Sequence, residues 1–309
     1  WRASTADGHF VVAAIDHRTN LLEKLNAAVD GEYDDAAFKA FKFDVISALA
    51  SHSSGILTDP AFGITPGLME KARGIGILAP VEVTDYGLHP SERDMAFIPD
   101  WSVAKIKRVG GDGVKLLLPY HPDDAKTEER HAVVRLIVEA CTQNDIPFFL
   151  EPIPYSPDPM VKLTNEERLE ISVGMCETFT DMGADVLKLP FPVDASQSRD
   201  LDEWAAACSA IDGACGVPWA LLSAGVDFDT FLLQAEVACK AGASGVIVGR
   251  AVWGEAVGKT DDELFAFLYD VAAPRMKALR NVCAAYATPW TQRVESPEMS
   301  VDWYETYSG

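Results

Sequence analysis

The sequence predicts an α/β fold in which eight parallel strands close into one barrel and a helix follows each strand. Three observations carry this prediction. Eight short apolar runs end in turn or polar residues, and their near-continuous hydrophobicity marks strands covered on both faces. Segments of helical periodicity separate most of the runs, as crossovers between parallel strands require. No composition shift or flexible linker divides the 309 residues, and a (β/α)8 TIM barrel commonly takes about 250. An open doubly wound sheet, with roughly five to seven strands, leaves runs unused.

The elements follow in order. The first run spans 10–18 (FVVAAIDHR); Asp34 and Asp35 then open a helix whose stripe is Phe38, Phe41, Val45 and Leu49. Runs two and three span 55–59 (GILTD) and 75–82 (IGILAPVE), and Asp100 opens the next helical segment. Gly110, Gly111 and Gly113 lead into the fourth run, 113–120 (GVKLLLPY), and Thr127 opens the helix after it. The fifth run, 147–153 (PFFLEPI), is followed by the Pro-rich stretch 155–159, where a functional loop belongs. Thr164 and Glu167 have capping-box spacing before Leu169, Ile171, Met175 and Phe179. Runs six to eight span 185–193 (DVLKLPFPV), 218–225 (PWALLSAG) and 245–250 (GVIVGR), with helices opened by Asp200 and Asp227 between them. The last helix covers 261–286, and Pro274 is expected to kink or divide it. The barrel thus takes about 10–285 of a single domain. A tail over 286–309 carries Trp290, Trp303, Tyr304 and Tyr307, aromatic surface expected to dock on the barrel or on a second subunit.

Composition narrows the partners. With 48% hydrophobic and 24% charged residues the chain is ordinary globular protein. Its 26 Lys+Arg stand against 47 Asp+Glu, a formal charge of −21, which argues against nucleic acid and anionic membrane surfaces as partners. Any anionic ligand needs a local basic site. No apolar stretch approaches the roughly 20 residues of a membrane helix, and WRASTADGHF lacks the plan of a signal peptide. The expected location is cytoplasmic. The six cysteines include no C-x-x-C pair and read as buried reduced thiols.

Catalytic residues of such barrels sit near the C-terminal ends of strands, so ionisable residues there are informative. Strand one ends in Asp16, His17 and Arg18; strands four, five and six contain Lys115, Glu151 and Lys188. Alternation places Asp16 and Arg18 on one face and His17 on the other. A lysine among leucines is seldom buried without a partner or a task. The four charges read either as a structural ion-pair cluster or as a Schiff-base site, in which desolvation and a second cation lower the lysine pKa and make its amine nucleophilic. At the ends of strands seven and eight, Leu222-Ser223-Ala224-Gly225 and Val248-Gly249-Arg250 expose backbone N–H groups beside an arginine. That is where barrels of this kind hold phosphate. The six histidines show no metal-ligand spacing, and there is no P-loop or dinucleotide fingerprint. No metal or organic cofactor is expected.

With these residues in view, the chain resembles the class I tagatose 1,6-bisphosphate aldolase family, whose relatives include sulfofructose phosphate aldolases. The matching landmarks are Ile15-Asp16-His17-Arg18, Leu57-Thr58-Asp59-Pro60, Lys115-Leu116-Leu117-Leu118, Phe149-Leu150-Glu151-Pro152, Val186-Leu187-Lys188, Pro218-Trp219 leading to Leu222-Ser223-Ala224-Gly225-Val226, and Gly249-Arg250-Ala251-Val252-Trp253. The resemblance implies that Lys188 forms the Schiff base and that Glu151 is the principal proton shuttle. Lys115 would tune the amine, and Asp16 would assist carbinolamine formation. It also implies that Ser223, Ala224, Gly225, Gly249 and Arg250 hold the C1 phosphate, with Arg18 near the other end of the sugar and His17 close to the substrate. The family usually has glutamine where His17 stands and often an aromatic residue where Pro119 stands. The implied activity is cleavage of a ketose 1-phosphate, such as tagatose 1,6-bisphosphate or 6-deoxy-6-sulfofructose 1-phosphate, to dihydroxyacetone phosphate and an aldehyde; the aromatic residues of the tail add the expectation of a homo-oligomer. A sugar-phosphate-binding regulator with little turnover and a transaldolase-like enzyme are the alternatives.

Overall fold

The computed structural model describes residues 2–28, 33–83, 87–295 and 300–306. Eight parallel strands form the closed barrel: β1 (Phe10–Ile15), β2 (Gly55–Thr58), β3 (Gly76–Pro80), β4 (Gly113–Tyr120), β5 (Phe148–Pro154), β6 (Val186–Pro190), β7 (Trp219–Leu222) and β8 (Gly245–Val248). Each pairs with its neighbours in chain order. The ring shuts where β1 pairs with β8, Phe10 opposite Gly245 and Ala13 opposite Val248. At this seam Gly245 has φ +136°, and a Cβ there would sit 1.9 Å from the Phe10 carbonyl oxygen. Only glycine permits that approach.

Inside the ring, Phe10, Val12, Ala14, Leu57, Leu78, Phe149, Val186, Ala220 and Ile247 form one buried cluster, with Phe10 edge-on to Phe149 at 5.7 Å. These inward residues fill the barrel as a packed core. The other strand faces pack against the helices. The stripe Phe38, Phe41, Val45 and Leu49 of helix Asp35–Ala50 is fully buried there, each side chain contributing about 2 kcal/mol by area.

The capping residues behave mostly as their chemistry dictates. Asp34, Asp200 and Asp227 accept backbone N–H groups at their helix starts, and Thr164 with Glu167 makes a full capping box for helix Asn165–Asp181. Asp100 does not cap. Ser102 caps helix Val103–Arg108 instead, because Asp100 sits at φ 55° in the preceding turn. Thr127 begins its helix but turns its hydroxyl to the His121 carbonyl, 2.8 Å away. The last helix is divided as expected: Asp261–Phe267 and Ala273–Tyr286 are joined by a π-helical turn, Leu268–Ala272, just before Pro274, which lacks an N–H to donate.

Several strands end earlier than their apolar runs. β1 stops at Ile15, β6 at Pro190, β7 at Leu222 and β8 at Val248, so the polar ends belong to loops at the barrel mouth. The third run divides at Pro80, after which Glu82–Val83 pairs antiparallel with Ala96–Phe97 in a small ribbon. In the tail, the Trp290 indole donates to Ser4 Oγ at 3.0 Å and docks under the barrel, whereas Trp303 and Tyr304 are exposed. Tyr307 lies outside the described residues. All six cysteines are buried and free. Among the described residues no helix is long and apolar enough to cross a membrane.

Candidate active site

The inward faces of the strands lead to the site by steps of two residues. Ala14 is followed on its face by Asp16, Pro80 by Glu82, Phe149 by Glu151, Val186 by Lys188 and Ile247 by Gly249, while Lys115 sits on β4 two residues after Gly113. The apolar layer is therefore capped by a polar one. Above it opens a cavity of about 350 Å³ at the C-terminal mouth, lined by Asp16, His17, Lys115, Glu151, Lys188, Ser223, Ala224, Gly225, Gly249 and Arg250. Of the residues selected from the sequence, only Arg18 is not part of this lining. Its guanidinium instead donates to the Glu82 carbonyl at 2.6 Å.

Lys115 is the hub of the polar layer. Its Nζ lies 3.0 Å from Asp16 Oδ2, 2.7 Å from Glu82 Oε1 and 3.1 Å from Glu151 Oε2. Glu151 Oε2 is also 2.8 Å from Lys188 Nζ, so one carboxylate oxygen bridges the two lysines. That oxygen pairs with them by distance but satisfies no aligned hydrogen bond, which leaves it able to accept a proton or a hydroxyl. Both lysines are buried, Lys188 at 5% exposure. Burial alone would raise the Asp16 pKa, but Lys115, Lys188 and His17 more than offset it and hold Asp16 well below the usual carboxylate range. Glu82 goes the other way. Burial pushes its carboxyl up and the Lys115 charge only partly opposes this, so Glu82 keeps a proton more readily than an ordinary glutamate.

His17 lines the same cavity as Asp16, contrary to strict alternation, because β1 has already ended at Ile15. Lys42 sets this course. Fully buried on helix Asp35–Ala50, it donates to the carbonyls of Ile15 at 3.1 Å and His17 at 2.7 Å, the two that bracket Asp16, and pairs with buried Asp59. The His17 ring lies edge-on to Trp253 at 5.9 Å, and its Nδ1 is buried without a partner among the described residues. Burial lowers its pKa to about 4, with Arg250 and the two lysines adding to the effect against the pull of Asp16. The unfolded chain takes up this proton near the ordinary 6.5 and the folded protein only near 4. Stability is therefore full above about pH 6.5 and falls as pH drops towards 4. His9 and His52, whose pKa values burial also lowers, act in the same direction. Urea denaturation at pH 7 and pH 5 should show a smaller loss of stability for His17→Gln than for the native chain; equal losses would remove His17 as a source.

Beside β7 and β8 the backbone turns tightly. Ala224 and Gly225 have φ 47° and 82°, and the Arg250 guanidinium lies 3.5 Å from where a Gly225 Cβ would be. The turn thus lets the arginine lie over it, next to Ser223 and Gly249.

The sequence reading missed four participants. Glu82 stood at the end of the third run, where the rule applied to Asp16 and Glu151 would have found it. Lys42 carried the signal of a lysine within an apolar helix stripe. Arg93, from the β3–β4 connection, and Arg168, from the first turn of helix Asn165–Asp181, line the cavity too. Neither arginine sits at a strand end, so strand position could not reveal them. Among the described residues, no group of three His, Cys, Asp or Glu has metal-holding geometry.

A buried lysine and carboxylate cluster over the packed interior of a closed eight-stranded barrel defines a barrel enzyme with its site at the strand C-termini. The particular family follows from comparison with known proteins: residues 10–255 match the DeoC/LacD family aldolase model, and the chain belongs to that family of aldehyde-lyases. It is 30% identical over 305 residues to tagatose 1,6-diphosphate aldolase 1 of Streptococcus pyogenes, covering 91% of this chain and 93% of that one. Identity to tagatose 1,6-diphosphate aldolase of Listeria monocytogenes is 31% over 323 residues, with 96% and 94% covered. Among solved structures, an archaeal fructose 1,6-bisphosphate aldolase shares the fold at TM-score 0.63 and 17% identity, covering 92% of this chain and 97% of its own. A Schiff base-forming fructose-1,6-bisphosphate aldolase matches at TM-score 0.59 and 17% identity, with 91% and 97% covered.

Proposed function

We propose that the chain is a class I, Schiff-base aldolase that cleaves a ketose 1-phosphate to dihydroxyacetone phosphate and an aldehyde. The observation that carries this reading is Lys188 Nζ, 2.8 Å from Glu151 Oε2, in a cavity whose β7–β8 side is lined by Ser223, Ala224, Gly225, Gly249 and Arg250. The Lys188 amine adds to the C2 ketone, and the carbinolamine loses water to give a protonated imine. The C3–C4 bond then breaks, its electrons passing to the imine as the C4 hydroxyl proton moves to Glu151. The aldehyde leaves, C3 of the resulting enamine takes a proton, and water releases dihydroxyacetone phosphate. Lys115 supports the developing charges. Asp16, held ionised, supplies charge to the lysines and holds Lys115 in place.

The relatives' names favour tagatose 1,6-bisphosphate as substrate, and the sequence resemblance adds 6-deoxy-6-sulfofructose 1-phosphate. The reading includes one catalytic domain over residues 1–309, acting in the cytoplasm as a homo-oligomer. A panel of ketose 1-phosphates assayed for free dihydroxyacetone phosphate tests it. Release supports the aldolase, retention of the three-carbon unit on the enzyme until an acceptor arrives favours a transaldolase-like reaction, and binding without cleavage favours a regulator. Neutralising Arg250 as Arg250→Gln should raise KM for the cleaved substrate about 10-fold or more, as expected for one lost charge-assisted contact. Lys240→Gln, on the outer helix Phe228–Ala241 and paired with Glu236, should leave KM within about twofold. Equal effects would count against the phosphate site.

A further inference from the structure

We infer that Lys42 is a positioning residue for catalysis: from outside the barrel it clamps the end of β1 so that Asp16 and His17 both face the cavity, and Asp59 is the counter-charge that keeps it there. The inference rests on the reading above, in which Asp16 serves the two active-site lysines. β1 ends at Ile15, opposite Thr58 of β2. The ladder stops one residue short of Asp16, yet Asp16 Oδ2 is held 3.0 Å from Lys115 Nζ. Lys42 Nζ supplies the missing support. It donates to the Ile15 carbonyl at 3.1 Å, to the His17 carbonyl at 2.7 Å and to Asp59 Oδ2. An ammonium has three N–H donors, and all three are used.

The pair behind the clamp is rigidly seated. Lys42 and Asp59 are both fully buried. Lys42 stands one helical turn after Phe38, and its ammonium lies 5.0 Å from the centre of that ring. Asp59 follows β2 directly, and its Oδ1 accepts the N–H groups of Ala61 and Phe62, both at 2.9 Å, so its own turn orients it towards Lys42. Gly63 completes that turn, because a Cβ there would collide with Thr58 Oγ1 and lie 3.2 Å from Asp59 Oδ2. Burial disfavours the Lys42 charge, and Asp59 opposes the effect. Two charges enclosed in this way are costly, and a packed apolar pair would serve stability as well or better. An apolar pair cannot hold two carbonyls. On the other side of Ile15, the Ala14 carbonyl accepts the Trp253 indole N–H at 2.9 Å, and the same indole meets the His17 ring edge-on. The backbone is thus held at residues 14, 15 and 17, and Asp16 lies between these supports. A misplacement of about 1 Å at a catalytic group can cost roughly 10²-fold in rate, which sets the scale of what the clamp contributes.

The test replaces both charges at nearly constant volume, as Lys42→Met with Asp59→Asn, so that neither is left stranded. With a ketose 1-phosphate that the native chain cleaves, kcat should fall about 10- to 100-fold while KM stays within about threefold. Asp16→Asn should lower kcat by itself. Adding the paired replacement to it should lower kcat less than about twofold further, because the clamp serves catalysis through Asp16. A multiplied loss in that background, or a native kcat in the paired variant, overturns the inference. Lys42→Gln with Asp59→Asn keeps a polar pair in place and carries the same comparison if the methionine variant does not fold. A second readout needs no turnover. In the unliganded chain the His17 imidazole, which faces Asp16, Arg250, Lys188 and Lys115, should titrate by NMR at about 4. Replacing the pair should carry it towards the ordinary 6.5 as the end of β1 relaxes into solvent. An unmoved His17 overturns the clamp as well. A native chain that cleaves no ketose 1-phosphate refutes the aldolase reading, and the His17 titration then decides the clamp alone.

Discussion

Lys188→Met should abolish cleavage, lowering kcat/KM by about 10⁴-fold or more, and should abolish the adduct trapped by borohydride in the presence of a ketose 1-phosphate or dihydroxyacetone phosphate. Methionine has a similar length and suits the apolar neighbours on β6, so the barrel should fold normally. Glu151 is not left stranded, because Lys115 remains 3.1 Å from its Oε2. The loss is therefore chemical: no other buried amine in the cavity occupies the position beside β7. Peptide mapping of the trapped native enzyme should place the modification on Lys188. Trapping that survives in Lys188→Met but disappears in Lys115→Met would exchange the roles of the two lysines.

Glu151→Gln should lower kcat by about 10²- to 10⁴-fold, the range of a lost general acid–base group, with KM changing less than tenfold. The substitution keeps the volume and removes only the charge and the proton-carrying capacity. Lys115 retains Asp16 at 3.0 Å and Glu82 at 2.7 Å, so the polar layer stays assembled. Borohydride should still trap an adduct in this variant, because the Lys188 amine remains. Single-turnover kinetics should show slow carbon–carbon cleavage following imine formation. A kcat within tenfold of the native value would move the proton transfer to Asp16 or Glu82.

Those two carboxyls are already distinguished by their surroundings. Asp16 gains more from the nearby cations than it loses by burial, whereas Glu82 loses more than it gains. One polar layer thus holds a carboxylate whose pKa is pushed down and a carboxyl whose pKa is pushed up, a division suited to acid–base work.

The barrel was legible because burial on both faces leaves a direct mark on composition. Runs such as 113–120 and 147–153 can be that apolar only in strands covered by helices outside and by the packed interior within. Lys115, Glu151 and Lys188 stood out against that background for the same reason. Where the mark is weaker the reading slipped: Ser102 rather than Asp100 caps its helix, because capping depends on the backbone angles of one turn. The side of the mouth that His17 faces was also misread, since alternation holds only while the strand lasts and Lys42 redirects the chain after Ile15.

By itself the sequence determined the eight-stranded barrel, the ends of strands where chemistry belongs and the lysine–carboxylate set on four of them. Periodicity and burial act over a few residues and can be read locally. Only the tertiary structure decided which charges meet. Closing the ring brings Lys115 within 3.0 Å of Asp16 across 99 residues of chain, and adds Glu82, 33 residues from Lys115, to the same cluster. It also turns Arg18 towards a backbone carbonyl and admits Arg93 and Arg168 to the cavity. Electrostatic partnership depends on distances in space, and those exist only once the barrel has closed.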